Sequence, residues 1–168
     1  ALKLSKICND LRLLSSGPRA GLNDVQLPAV QSGSSIMPGK VNPVIPEVVN
    51  QIAYQVVGHD LTVTMAAEGG QLQLNAFEPV IAHSIGLSLK HLTNGCLTLA
   101  TRCSDGITVD AEQLRRTVEH SSGLVTALNP RLGYAKSTAI AVEALRTGRG
   151  VAELVLSHGL LSEEDLTE

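Results

Sequence analysis

Apolar residues recur at helical intervals through most of this chain, and where that period stops the sequence turns to glycine, proline and serine. Leu4, Ile7, Cys8, Leu11 and Leu14 fall three or four apart and predict a helix over 2–15. Ser16-Gly17-Pro18 stops it. Residues 17–45 hold Gly17, Gly21, Gly33 and Gly39 together with Pro18, Pro28, Pro38 and Pro43, so no helix runs through them. A loop of that length inside a folded chain is a candidate for function. Pro46 suits the first position of a helix, with Glu47 in the first turn near the positive end of the dipole. That helix reaches about Ala67, and Gly69-Gly70 breaks it. Asn75-Ala76-Phe77-Glu78 reads as a capping box opening a second long helix to about Cys103.

Between Val44 and Thr101 only Glu47, Asp60, Glu68, Glu78 and Lys90 are charged. Two long helices so poor in charge are expected to be buried nearly all round, in a large core or an oligomer. They are not membrane spans, because Asn50, Gln51, Gln55, His59 and Asp60 interrupt any apolar run of sufficient length. After Asp105-Gly106 charges return and helices shorten. Asp110 to Gln113 predicts a cap for a helix to about His120, Asn129-Pro130 and Gly133 predict a turn, and Thr138–Leu145 and Val151–His158 predict two helices. Ser162 to Asp165 could cap a last turn. A domain boundary is expected near 105–109. No segment alternates like a strand, so the fold class is all-α. Helical apolar spacing already begins at Leu4, with no start methionine and no cap before it, so the chain is expected to be part of a longer one.

Composition narrows the function classes. A net charge of −3 gives no electrostatic case for nucleic acid or an anionic membrane. Tyr54, Phe77 and Tyr134 are the only aromatics, which leaves no base-stacking platform. Cys8, Cys96 and Cys103 lack C-x-x-C spacing and read as reduced, buried thiols, as suits a cytoplasmic protein. Cys96 and Cys103, seven apart on one helix, read as core packing. His59, His83, His91, His120 and His158 have no metal-ligand spacing, and nothing in the sequence calls for a metal or another cofactor.

The chemistry concentrates in Gly33-Ser34-Ser35-Ile36-Met37-Pro38-Gly39-Lys40-Val41-Asn42. Backbone N–H groups in a glycine-rich loop can converge on one point and favour an anion there, and Lys40 adds a full positive charge. Such a loop can hold a carboxylate and can ease the deprotonation of a serine. It is not a Walker A loop. Ser34 stands where that motif needs its first glycine, Val41 follows the lysine where a hydroxyl is needed, and no strand precedes it. Nor is it a nucleophile elbow, since Met37 replaces the closing glycine. On composition alone an inert Ser/Gly/Pro connection would serve equally well.

Gly33-Ser34-Ser35-x-Met37-Pro38-x-Lys40-x-Asn42-Pro43 resembles the signature loop of the fumarase/aspartase superfamily, whose enzymes release fumarate by reversible elimination. The resemblance continues through Ser16-Gly17-Pro18-Arg19 and Leu128-Asn129-Pro130. Residues 44–50 and 65–75 are similar to the aspartase branch, while the region around Tyr134 does not separate aspartases from fumarases. The resemblance implies Ser34 as the base, acting as an oxyanion. It implies Ser35, Lys40 and Asn42 as ligands of the substrate carboxylate and its enediolate, with Gly33 and Gly39 shaping the loop. Glu47 matches a glutamate that supports a histidine from another segment, and Arg19 a position that shapes the loop hinge. The implied substrate is L-aspartate or fumarate, a small molecule. The implied assembly is a homotetramer built on a shared helical bundle, with each site drawn from three subunits. Two further site segments of the family have no match in this chain. Residues 1–107 would then end a central helical-bundle domain and 108–168 form a small helical C-terminal domain. The rivals are the hydratase branch of the same superfamily and, for these residues alone, a non-catalytic helical oligomerisation module.

Overall fold

The computed structural model describes residues 1–17, 20–33, 35–37, 39–119, 121 and 123–167, with the backbone alone at 163 and 167. Among these there are helices and no strand, only the isolated bridges Gln26–Thr108 and Gln71–Leu74. The chain divides into two compact units, 1–109 and 110–168.

The first unit is built on three helices: α1 (Leu2–Leu14), α2 (Val44–Glu68) and α3 (Glu78–Arg102). Helix α2 begins two residues before the expected start. Pro46 is therefore its third residue, which is tolerated because the first four N–H groups of a helix have no intrahelical acceptor. Helices α2 and α3 form an antiparallel hairpin whose register is fixed at three levels. Ile52 Cδ1 lies over Gly95, where an added Cβ would sit 3.0 Å from it. His91 Nδ1 bonds Gln55 Oε1 at 2.9 Å, and His59 Nδ1 bonds Ser88 Oγ at 2.9 Å. Ser88 donates its own proton to the Ser84 carbonyl at 2.7 Å, so the His59 Nδ1 carries the proton of their bond.

The hairpin turn corrects one expectation. Asn75 does not cap α3. Its Oδ1 accepts from the Phe77 N–H at 2.8 Å, a local turn, and its Nδ2 donates to the Ala66 carbonyl at 2.9 Å, tying the turn to α2. The N-cap of α3 is Phe77, which has no side-chain acceptor to offer. Gln71 and Leu74 exchange both backbone hydrogen bonds, and Leu72 and Gln73 between them take φ of 50° and 64°.

Helix α1 runs antiparallel to α2. Asn50 Nδ2 donates to the Ser5 carbonyl at 3.1 Å and to Ser5 Oγ at 2.9 Å. One turn further on, Cys8 packs with Val49, Leu99 and Cys103 in a buried cluster. Burial raises the pKa of the Cys8 and Cys103 thiols, with Cys103 adding to the effect on Cys8. Cys96 departs from expectation, since it is exposed on α3. Within this chain α2 and α3 cover only the sides that face each other and α1. Leu61, Met65 and Leu89 remain 64%, 63% and 62% exposed.

The second unit contains α4 (Ala111–Glu119), α5 (Leu124–Leu132), α6 (Tyr134–Thr147), α7 (Val151–Ser157) and α8 (Glu163–Thr167). Asp110 Oδ1 accepts from the Glu112 and Gln113 N–H groups at 3.1 and 3.0 Å, the expected cap of α4. Asn129-Pro130 is not a turn but lies inside α5. Pro130 removes one bond, yet Leu124, Leu128 and Leu132 pack on the core of Val125, Ile140, Ala144, Val151, Leu154 and Val155, and that packing outweighs propensity. The break falls at Gly133, whose φ of 77° suits glycine, and α6 starts there, four residues before the expected Thr138.

Candidate functional site

The long segment between α1 and α2 is held at both ends. At the end of α1, Ser16 Oγ donates to the Leu13 carbonyl at 2.6 Å and accepts from the Leu22 N–H at 3.2 Å. The Asp24 N–H then returns to the Leu14 carbonyl at 2.9 Å. Gln26 and Thr108 exchange backbone bonds at 2.8 and 3.0 Å, which ties the segment to the chain just beyond α3.

The decapeptide closes on itself at a narrow neck. The Gly33 N–H donates to the Lys40 carbonyl at 2.8 Å, and the Asn42 amide donates to the Gly33 carbonyl at 3.4 Å. A Cβ on Gly33 would lie 2.7 Å from the Lys40 oxygen, so only glycine fits. Gly39 takes a φ of 77°, the left-handed turn that brings Lys40 back across Gly33. Ser35 is exposed on the loop. Ser34 and Arg19 lie outside the described residues, as does His120.

Lys40 and Asn42 face a cleft of about 790 Å³ that Glu47, from the first turn of α2, also lines. With Gly39, four of the site residues singled out in the sequence therefore share one concave surface, while Ser35 and Gly33 are not among its lining residues. Arg12 and Ser15, from the last turn of α1 and its cap, complete the far side. Neither stands out by motif. The signal available in the sequence was a basic residue near a helix end with no acid three or four places away. Among the described residues no histidine lines the cleft, no group of three or more His, Cys, Asp or Glu side chains could hold a metal, and no helix is long and apolar enough to cross a membrane. Chemically, the cleft offers two cations, one carboxylate and the side-chain amides of Asn23, Gln26 and Asn42, which suits an anionic ligand.

Residues 1–58 match a family model described as lyase, and residues 124–168 match one described as fumarase C C-terminus. Across all 168 residues the chain is 61% identical to the aspartate ammonia-lyase of Pseudomonas canavaninivorans, of which it spans 35%. Among solved structures it is similar to the cobalt-bound fumarate lyase:delta crystallin of Brucella melitensis, with a TM-score of 0.92 at 60% identity, covering 99% of this chain and 36% of that one. It is also similar to a class II fumarase from Schistosoma mansoni, with a TM-score of 0.87 at 37% identity, covering 99% of this chain and 35% of that one.

Proposed function

This chain belongs to the fumarase/aspartase superfamily, and on that premise we propose that it is the C-terminal part of an aspartate ammonia-lyase, which eliminates ammonia from L-aspartate to give fumarate. The observation that carries this reading is the single cleft shared by Lys40, Asn42 and Glu47 behind the closed neck of the loop. The much higher identity to an aspartate ammonia-lyase than to a class II fumarase favours ammonia over water as the leaving group.

The chemistry follows from what elimination demands. The Cβ proton of aspartate is very weakly acidic, and its removal requires the neighbouring carboxylate to become an enediolate stabilised by fixed donors. Ser34 takes that proton as an oxyanion, its ionisation eased by loop N–H groups and by Lys40. Ser35, Lys40 and Asn42 bind the carboxylate. The charge on Lys40 interacts more strongly with the doubly charged enediolate than with the ground state, which is the condition for acceleration. Glu47 supports a histidine supplied by another segment. Ammonia then leaves from Cα and the double bond of fumarate forms.

The unpartnered apolar sides of α2 and α3 support a homo-oligomer, a tetramer in the full enzyme, in which these helices become core. The protein acts in the cytoplasm on a small-molecule substrate. Assaying the full-length enzyme with L-aspartate and with L-malate tests the reading. Fumarate and ammonia from L-aspartate support it, and turnover of L-malate alone would assign the chain to the hydratase branch.

A further inference from the structure

The cleft behind the loop holds a charge that this chemistry leaves without a task. Arg12 is the basic residue in the last turn of α1, exposed on the cleft, and its guanidinium makes no ion pair or hydrogen bond with any described residue. Its own helix cannot partner it, since the positions three and four away are Cys8, Asn9, Ser15 and Ser16, and the nearby Asp10 is engaged by Lys6. Glu47 is in the same condition. It is half-buried, its carboxylate has no partner among the described residues, and the positions three and four away are Pro43, Val44, Asn50 and Gln51.

The helix register brings these two to within about one turn of each other along the same cleft. Helices α1 and α2 run antiparallel, with Ser5 bonded to Asn50 and Cys8 packed in one cluster with Val49. From the Ser5–Asn50 bond Glu47 lies one turn back along α2 and Arg12 two turns onward along α1, an offset of about one turn, or ~5 Å, that an arginine side chain spans, and both line the one cleft. The charged side chains lining it are Arg12, Lys40 and Glu47, and Lys40 has its own task on the substrate. A favourable interaction with the α1 dipole explains a cation in the last turn. It does not explain why that cation shares its cleft with Glu47, the one acid among the described lining residues.

We propose that Arg12 is a positioning residue for Glu47. In the assembled site its guanidinium forks onto the Glu47 carboxylate and fixes the direction from which that carboxylate supports its histidine. Arg12 then acts on the reaction through Glu47 and touches no substrate atom. The proposal rests on the lyase reading above.

The test is a double-mutant cycle in the full-length enzyme, with kcat and KM for L-aspartate and a melting curve for each variant: Arg12→Gln, Arg12→Lys, Glu47→Gln and the double variant Arg12→Gln with Glu47→Gln. Arg12→Gln is expected to lower kcat at least about tenfold and to leave KM within about twofold, since orientation and not binding is lost. Arg12→Lys should recover part of that loss, keeping the charge without the fork. The double variant should be no slower than Glu47→Gln alone. Penalties that multiply in the double variant would show that Arg12 acts independently of Glu47, and a raised KM at unchanged kcat would place it on the substrate. A loss of kcat in proportion to a lowered melting temperature would make it structural. An unsubstituted enzyme that turns over L-malate and not L-aspartate overturns the ammonia-lyase reading alone, and the same four variants then decide on Arg12 with L-malate.

Discussion

At Gly33 the loop leaves no room for a side chain. Alanine there would put its Cβ 2.7 Å from the Lys40 oxygen, so the neck must open and Lys40 and Asn42 must shift with it. A displacement of about 1 Å at a reacting group can cost roughly 10²-fold in rate. Gly33→Ala in the full-length enzyme is therefore expected to lower kcat/KM by about that factor, with a melting temperature close to the parent's, because the strain falls on a surface loop. Steady-state kinetics beside a melting curve checks both. At Ser34 the expectation is different in kind. On the mechanism proposed above, Ser34→Ala removes the base, which typically costs about 10²–10⁴-fold, and should spare both KM and folding. Near-native turnover in that variant would move the role to Ser35. The candidate site was legible where its chemistry is contiguous, because serines, glycines, lysine and asparagine within ten residues leave few physical uses. Arg12 was not legible, because it stands 28 residues before Lys40 and only the packing of two helices brings it to the same cleft.

Single elements obeyed the sequence where local chemistry decides and departed from it where packing does. The cap at Asp110 and the one at Ser162 are local, and both formed. Asn75 and Pro130 carry equally strong local signals, yet Asn75 spends its amide on Ala66 of the other helix and Pro130 is held in α5 by three leucines on the core. The last cap makes a pH prediction. The Ser162 hydroxyl and N–H both donate to Asp165 Oδ2, at 2.6 and 3.0 Å, and Arg131 Nη1 lies 3.2 Å from Oδ1. The Ser162 bonds foremost, then the Arg131 charge, hold the Asp165 carboxyl below its ordinary value of 3.8. The native state thus favours the ionised form. The stabilisation is fully present above that ordinary value and is lost as pH falls through the lower native one. Amide exchange of α8 should accelerate in that acid window, and Asp165→Asn should abolish the dependence. A second element-scale prediction falls at the hairpin crossing. Ile52 can yield to a methyl at Gly95 but not to a branched side chain, so Gly95→Val is expected to destabilise the first unit by about 1–3 kcal/mol, read from denaturant midpoints.

For the whole molecule the decisive quantity is the apolar surface left over. Charge scarcity between Val44 and Thr101 announced helices meant for burial, and it also announced the all-α class, because no strand-like alternation competes. It could not say what covers them. Within this chain they cover each other on one side only, leaving Tyr54, Leu61 and Met65 on α2 and Ile85, Leu89 and Leu97 on α3 between 46% and 64% exposed. These positions fall one or two helical turns apart, so each helix carries an apolar stripe along one side. Stripes of that extent on soluble proteins mark contact with another surface, and the simplest self-complementary partner is a second copy. The isolated 168-residue chain is therefore expected to self-associate at dilute concentration, as light scattering would show. It should also release no fumarate from L-aspartate in an absorbance assay, because the reading above draws part of each site from segments outside this chain. A clean monomer would mean that the stripes are accommodated without a partner. Measurable activity would mean that Lys40, Asn42 and Glu47 already stand in a complete site.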